Sequence, residues 1–148
     1  MNGNVVASAT APSLPPWPDD GLAYVDLPAS GDDGFPQVFL LEMDSVVYRL
    51  TMTVYYPDPD YVLNNAYANV FFDLPDPVRG LYLNLKVELE NLPQPGNLVG
   101  AQRVVLDIPI AMGPLRFRFS RIRVAQANLA GPGSYGSVLQ AEVAVIDG

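Results

Sequence analysis

The sequence predicts an all-β protein, a single antiparallel β-sandwich or barrel that follows an extended N-terminal arm. From Gln37 onward, apolar residues recur at every second position, which is the period of a strand with one buried face. The 15 prolines and 12 glycines require many turns, and so favour short strands over helices. A chain of 148 residues is long enough to bury one core without a metal or a disulfide.

Residues 1–36 are predicted to form an acidic, proline-rich arm, and residues 37–148 the β domain. Prolines at the density found in this segment favour extended backbone over a packed fold. Within the arm, Leu22 to Leu27 is expected to form one short strand. Trp17, the only tryptophan, lies in the run Leu14-Pro15-Pro16-Trp17-Pro18. A large aromatic ring on an extended segment is suited to a pocket on a neighbouring subunit, and the alternative is that it packs on its own domain.

The alternating segments predict seven strands in the domain, near 37–43, 46–56, 67–74, 80–91, 102–111, 115–125 and 137–146. Half-buried faces of this kind are typical of antiparallel sheets. A Pro-x-Pro unit recurs at Pro57, Pro75 and Pro93, each time after a predicted strand. Proline cannot donate to a ladder, so each unit is expected to end a strand.

Composition argues against several classes of function. The chain has no cysteine and no histidine, which removes thiol chemistry and the commonest general base and metal ligand. Its formal net charge of −8 disfavours nucleic acid and anionic membranes as main partners. The first ten residues do not resemble a secretory signal, and no apolar run is long enough for a membrane helix.

Two groups of carboxylates are candidates for a chemical site. Glu88 and Glu90 are two apart on a predicted strand, a spacing that paired glycosidase carboxylates can use, but the neighbouring Lys86 favours a solvated strand face. Asp58, Asp60, Asp73 and Asp76 offer oxygen ligands for calcium, yet aspartates that form turns explain them better. The sequence therefore predicts a protein that is not an enzyme and that has no cofactor and no metal.

The segment from Arg116 to Val124 carries half of the eight basic residues, whereas residues 1–44 contain seven acidic residues and no basic ones. Simple alternation would bring Arg121 and Arg123 to the face of Phe117 and Phe119. A bulge near Ser120 would instead place all four arginines on one face: Arg116, Arg118, Arg121 and Arg123. Arginine pairs with carboxylates at interfaces, so the row is expected to bind an acidic arm or another acidic partner. The alternative is a solvated strand with weak ion pairs.

One region resembles a known family. Leu41 to Tyr56, read as LEMDSVVYRLTMTVYY and followed by Val70-Phe71-Phe72-Asp73-Leu74, is similar to the opening strands of small phage baseplate plug proteins. In those proteins a Tyr-x-Leu strand leads through a turn to an apolar-Asp-Leu strand. The resemblance implies a non-catalytic subunit of a tailed-phage baseplate or tail hub, located in the virion and assembled in the host cytoplasm. Its partners would be other virion subunits, including copies of itself.

Two alternatives remain open at this point. The first is a capsid cement or decoration protein that clamps the shell through its arm. The second is a carbohydrate-binding β-sandwich, for which the candidate aromatic residues are Tyr55, Tyr61, Tyr67 and Tyr82. In either virion role, Leu14, Trp17 and Leu22 are expected to dock on another subunit, and deletion of residues 1–30 is expected to leave the domain folded.

Overall fold

The computed structural model of the chain describes residues 21–57, 71–93 and 96–146. The features predicted for Leu14, Trp17, Asp58, Asp60, Tyr61 and Tyr67 lie outside these residues. No helix in the described part of the chain is long and apolar enough to cross a membrane.

The described residues confirm the all-β prediction and form two antiparallel sheets. Sheet A contains β1 (Val25–Asp26), β4 (Phe71–Asp73), β7 (Ile110–Met112), β8 (Leu115–Ala125) and β9 (Val138–Val145). Sheet B contains β2 (Gln37–Met43), β3 (Val46–Tyr55), β5 (Tyr82–Leu89) and β6 (Leu98–Arg103). Two short 3-10 helices cover Gly31–Asp33 and Gln126–Ala130.

The order in sheet A is β1-β9-β8-β4, with β7 also paired to β8, and the order in sheet B is β2-β3-β5-β6. The core lies between the two inner faces, where the alternating apolar residues meet. Leu50 of β3, Leu85 of β5 and Phe117 of β8 are all fully buried in one cluster. Burying a side chain of this size contributes about 1.5–3 kcal/mol. The face of each strand that carries the alternating apolar residues therefore turns toward the core.

One predicted strand is wrong. The segment 102–111 was expected to be a single strand because Val104, Leu106, Ile108 and Ile110 alternate. Instead β6 ends at Arg103 and β7 begins at Ile110, and the chain between them crosses from sheet B to sheet A. The amide of Val104 still donates to the carbonyl of Leu83 in sheet B, whereas the amide of Asp107 donates to the carbonyl of Phe119 in sheet A. Ile108 is consequently 55% exposed.

The second half of the predicted arm packs on the sandwich. β1 falls within the strand expected at Leu22–Leu27 and pairs with β9. Leu27 and Phe35 are buried in the common core. In the structure, the described residues before Gln37 therefore form part of the packed domain.

Hydrogen bonds fix this segment to residues 128–137, which lie just before β9. The Asp32 carboxylate accepts hydrogen bonds from the amides of Tyr135, Gly136 and Ser137, at 3.2, 3.0 and 2.9 Å. Close by, the amide of Phe35 donates to the carbonyl of the fully buried Asn128. The Asp32 bonds join residues more than 100 positions apart in the sequence and so fix the first 3-10 helix to the loop before β9.

Candidate interaction surfaces

The four arginines of β8 lie on the outer face of sheet A because the strand contains one extra residue. In the β8–β9 ladder Ala141 pairs with Phe119 and Gln140 pairs with Arg121, so Ser120 has no partner and forms a bulge. The predicted bulge is confirmed. Its effect is also the predicted one, since the apolar residues on both sides of it are buried at 1% exposure or less: Phe117, Phe119, Ile122 and Val124. We call the outward-facing set, Arg116, Arg118, Arg121 and Arg123, the arginine row.

Residues of the same chain already occupy parts of the arginine row. The Arg118 guanidinium lies 2.9 Å from a Glu142 carboxylate oxygen and 3.5 Å from the centre of the Tyr24 ring. Arg123 lies 4.7 Å from the centre of the Phe71 ring and opposite Asp73 in the ladder. Since Tyr24 belongs to the predicted arm, one contact between that segment and the row is intramolecular.

Arg121 differs from its neighbours in the row. It is exposed, and its ladder partner is the neutral Gln140. Within the described ranges, no carboxylate forms an ion pair with it. The middle of the row is therefore the part that offers a cation to another molecule.

The two glutamates weighed as a catalytic pair are held by neighbouring polar groups. Glu88 is only 5% exposed, and its carboxylate accepts a hydrogen bond from the Asn97 amide at 3.2 Å. Lys86 lies 3.6 Å from the same carboxylate. The Glu90 carboxylate lies 2.6 Å from the Arg49 guanidinium. These contacts hold both carboxylates against neighbouring side chains on the outer face of sheet B.

Asp76, one of the aspartates weighed as a calcium ligand, stabilises a turn. Its carboxylate accepts hydrogen bonds from the amides of Val78 and Arg79, both at 3.1 Å, and pairs with the Arg79 guanidinium at 3.2 Å. Over the ranges that the structure covers, no three acidic side chains gather as a metal site would require. The turn interpretation therefore accounts for the Asp76 contacts.

A second surface, which we call the tyrosine groove, lies at one end of sheet B. The rings of Tyr55 and Tyr82, directly paired across β3 and β5, stack with centres 4.9 Å apart. Arg103 of β6 lies 3.8 Å from the centre of the Tyr82 ring, so Tyr82 is flanked from both neighbouring strands. The groove has a volume of about 530 Å³, and the remaining lining residues are Pro57, Pro75, Asp76, Pro77, Gly80 and Leu81.

The sequence identified the two tyrosines of this groove but not Arg103. Arg103 could have been identified only from the pairing of β6 with β5, and the hydrophobic pattern does not indicate that β6 is a strand. Leu22, the third residue of the predicted arm contact, is half-buried and lines a hollow with Met43, Asp44 and Val145 of its own chain.

Comparison with known proteins gives no further guide to these surfaces. The chain matches no family model, no curated protein and no solved structure.

Proposed function

We propose that this protein is a non-catalytic structural subunit of a tailed-phage virion, in the baseplate or tail hub, and that the arginine row binds an acidic surface of a neighbouring subunit. The observation that carries the interaction is the Ser120 bulge, which brings four cations to one face of a chain with a net charge of −8. The virion location is supported by the resemblance of Leu41–Tyr56 and Val70–Leu74 to plug proteins.

The geometry of the row supports an interface better than a solvated strand. Like charges on one strand face repel each other, and the chain offsets this repulsion at Arg118 through Glu142. At Arg121 an acidic group of a partner would do so. Because arginine presents a planar fork of donors, it suits paired contacts with carboxylates across such a surface.

The proposal of a structural role is also supported by the contacts of three acidic side chains. Glu88, Glu90 and Asp76 are each engaged in ion pairs or hydrogen bonds that hold a strand or a turn. General acid–base catalysis requires a carboxyl within reach of a substrate. At 5% exposure Glu88 is poorly placed for that task.

The location is tested by labelling the protein in purified particles and viewing them by electron microscopy. Label at the end of the tail is expected. Label spread over the shell would instead support the capsid decoration role, and particles without the protein would contradict both.

The interface is tested by Arg121→Glu, with Val38→Glu as the control because it adds a carboxylate at an exposed position of sheet B, where Val38 is 58% exposed. We expect the Arg121 variant to enter particles poorly, whereas the Val38 variant enters normally. Raising the salt concentration should weaken incorporation of the unaltered protein, since screening reduces attraction between exposed charges. Normal incorporation of Arg121→Glu would show that the row is not the interface.

A further inference from the structure

The tyrosine groove has the chemistry of a site for proline-rich peptides. Tyr55 is 47% exposed and stands beside Tyr82 and three prolines, so the groove presents aromatic rings at its surface. Extended proline-rich segments dock in aromatic-lined grooves because their backbone is already ordered before binding. Arg103 adds a single cation at the edge of this apolar surface.

The chain itself contains a segment that fits this description. Leu14 to Asp20 reads LPPWPDD, with three prolines, one tryptophan and two adjacent acidic residues. The prolines lower the entropy lost on binding, and the tryptophan ring supplies a large contact area. Asp19 and Asp20 complement the charge of Arg103.

Chain length decides which copy supplies the segment. Gly21 lines the same hollow as Asp44, which is in the turn just before the start of β3, whereas Tyr55 is the last residue of that strand. A strand of ten residues spans about 30 Å. Trp17 is four residues before Gly21 and extends at most about 14 Å from it, and Leu14 at most about 24 Å. The segment is too short to lie in the groove of its own chain.

We propose that residues Leu14–Asp20 of one copy bind in the tyrosine groove of a second copy. Gly21, to which the segment is joined, and the groove lie at opposite ends of the sandwich, so the contact is head-to-tail. Repeated contacts of this kind close into a ring or continue as a filament. The proposal goes beyond the arginine row and is independent of the location of the assembly.

The contact is tested first with a peptide of residues 12–20 and the full-length Trp17→Ala chain. That chain contains no tryptophan, so all tryptophan fluorescence comes from the peptide. We expect the emission to shift to shorter wavelength and its anisotropy to rise on binding. Tyr55→Ala in the same chain should weaken binding about tenfold or more, as expected for an aromatic anchor. The matched control is Tyr135→Ala, which removes a tyrosine of similar exposure, 51%, outside the groove.

A mixture of two variants then tests whether the segment binds the groove of another copy or the groove of its own chain. Trp17→Ala retains the groove, and Tyr55→Ala retains the segment. Neither should self-associate alone, whereas an equal mixture should form a heterodimer that light scattering detects. The proposal is overturned if the mixture remains monomeric, if the peptide binds Tyr55→Ala as tightly as the parent chain, or if the peptide does not bind at millimolar concentration. These outcomes do not bear on whether the protein is found in virions.

Discussion

At the scale of single residues, Tyr48 couples stability to alkaline pH. Burial, and secondly the nearby Asp44 carboxylate, raises the pKa of the Tyr48 hydroxyl above its usual value of 10.0. The folded state thus favours the neutral phenol. Its contribution is fully present below the unfolded-state pKa of about 10 and is lost as the pH rises through the folded-state value.

Tyr48→Phe should therefore reduce the decline in unfolding free energy above about pH 10, while leaving the slope between about pH 7 and 9 unchanged. Urea unfolding of the two proteins at a series of pH values measures both slopes. Equal slopes above pH 10 would mean that another group causes the alkaline loss.

The turn between β2 and β3 contains a residue that is strained by its side chain. Met43 pairs with Val46, which leaves a two-residue loop in which Asp44 and Ser45 have φ of 56° and 68°. This is the type I′ geometry that prefers glycine at its second position. Ser45→Gly is expected to raise the unfolding free energy by about 1 kcal/mol, as measured by denaturant titration. Ser134→Gly, at an exposed serine without positive φ, should give no gain.

At the scale of elements, β8 tolerates the loss of one particular residue. Removal of a residue from a strand normally turns the following side chains to the opposite face. Ser120 is the bulge, so its removal leaves Phe119 inward, Arg121 outward and Ile122 inward. Deletion of Ser120 should yield a folded protein with the arginine row intact, as judged by circular dichroism and a cooperative melting transition.

Deletion of Arg118 is the matched control, because it removes a residue from a regular part of the same strand. It places Phe117 directly before Phe119, so that one ring must leave the core or the bulge must move. We expect a much larger loss of stability, since exposing a buried phenylalanine costs about 3–5 kcal/mol. Equal damage from the two deletions would show that the bulge is required for more than the alignment of faces.

The strands differed in how far sequence could predict them. β2 and β8 match their predicted bounds, and each begins directly after a proline, Pro36 or Pro114. β6 was missed since its outward residues are not distinctly polar and Leu98 is 57% exposed. The error at 102–111 has a local cause. Asp107 has positive φ and Pro109 cannot donate to a ladder, yet Ile108 continues the apolar alternation between them.

At the scale of the whole molecule, the position of β1 and Leu27 determines how many N-terminal residues can be removed without loss of stability. Removal of residues 1–20 leaves all described strands in place and should change the melting temperature by less than about 5 °C. Removal of residues 1–30 also removes β1 and the buried Leu27, which contributes about 1.5–3 kcal/mol. Thermal unfolding of the two truncations should therefore differ clearly, and identical curves would show that β1 adds no stability.

The interaction surfaces were predictable only where they depend on a single strand. The arginine row follows from the order of residues in β8 together with one bulge, which the apolar residues on both sides already require. The tyrosine groove joins Tyr55, Tyr82 and Arg103 from three strands, and the turn at Pro75–Pro77 completes it. Its assembly depends on the β5–β6 register and on the loop path, which the sequence pattern does not encode.

The place of β9 in sheet A has a consequence for synthesis on the ribosome. This strand follows all the other described strands, yet it lies between β1 and β8 and pairs with both. A chain leaves the ribosome N-terminus first, and a domain generally folds as a unit. Among the described strands β1 pairs only with β9, so it lacks this partner until residues 138–145 have left the exit tunnel, whereas the four strands of sheet B are complete by Arg103. All of sheet B is therefore outside the ribosome while the sheet that covers its apolar face is incomplete, and a chaperone that holds this face would be needed most while β9 is still being made.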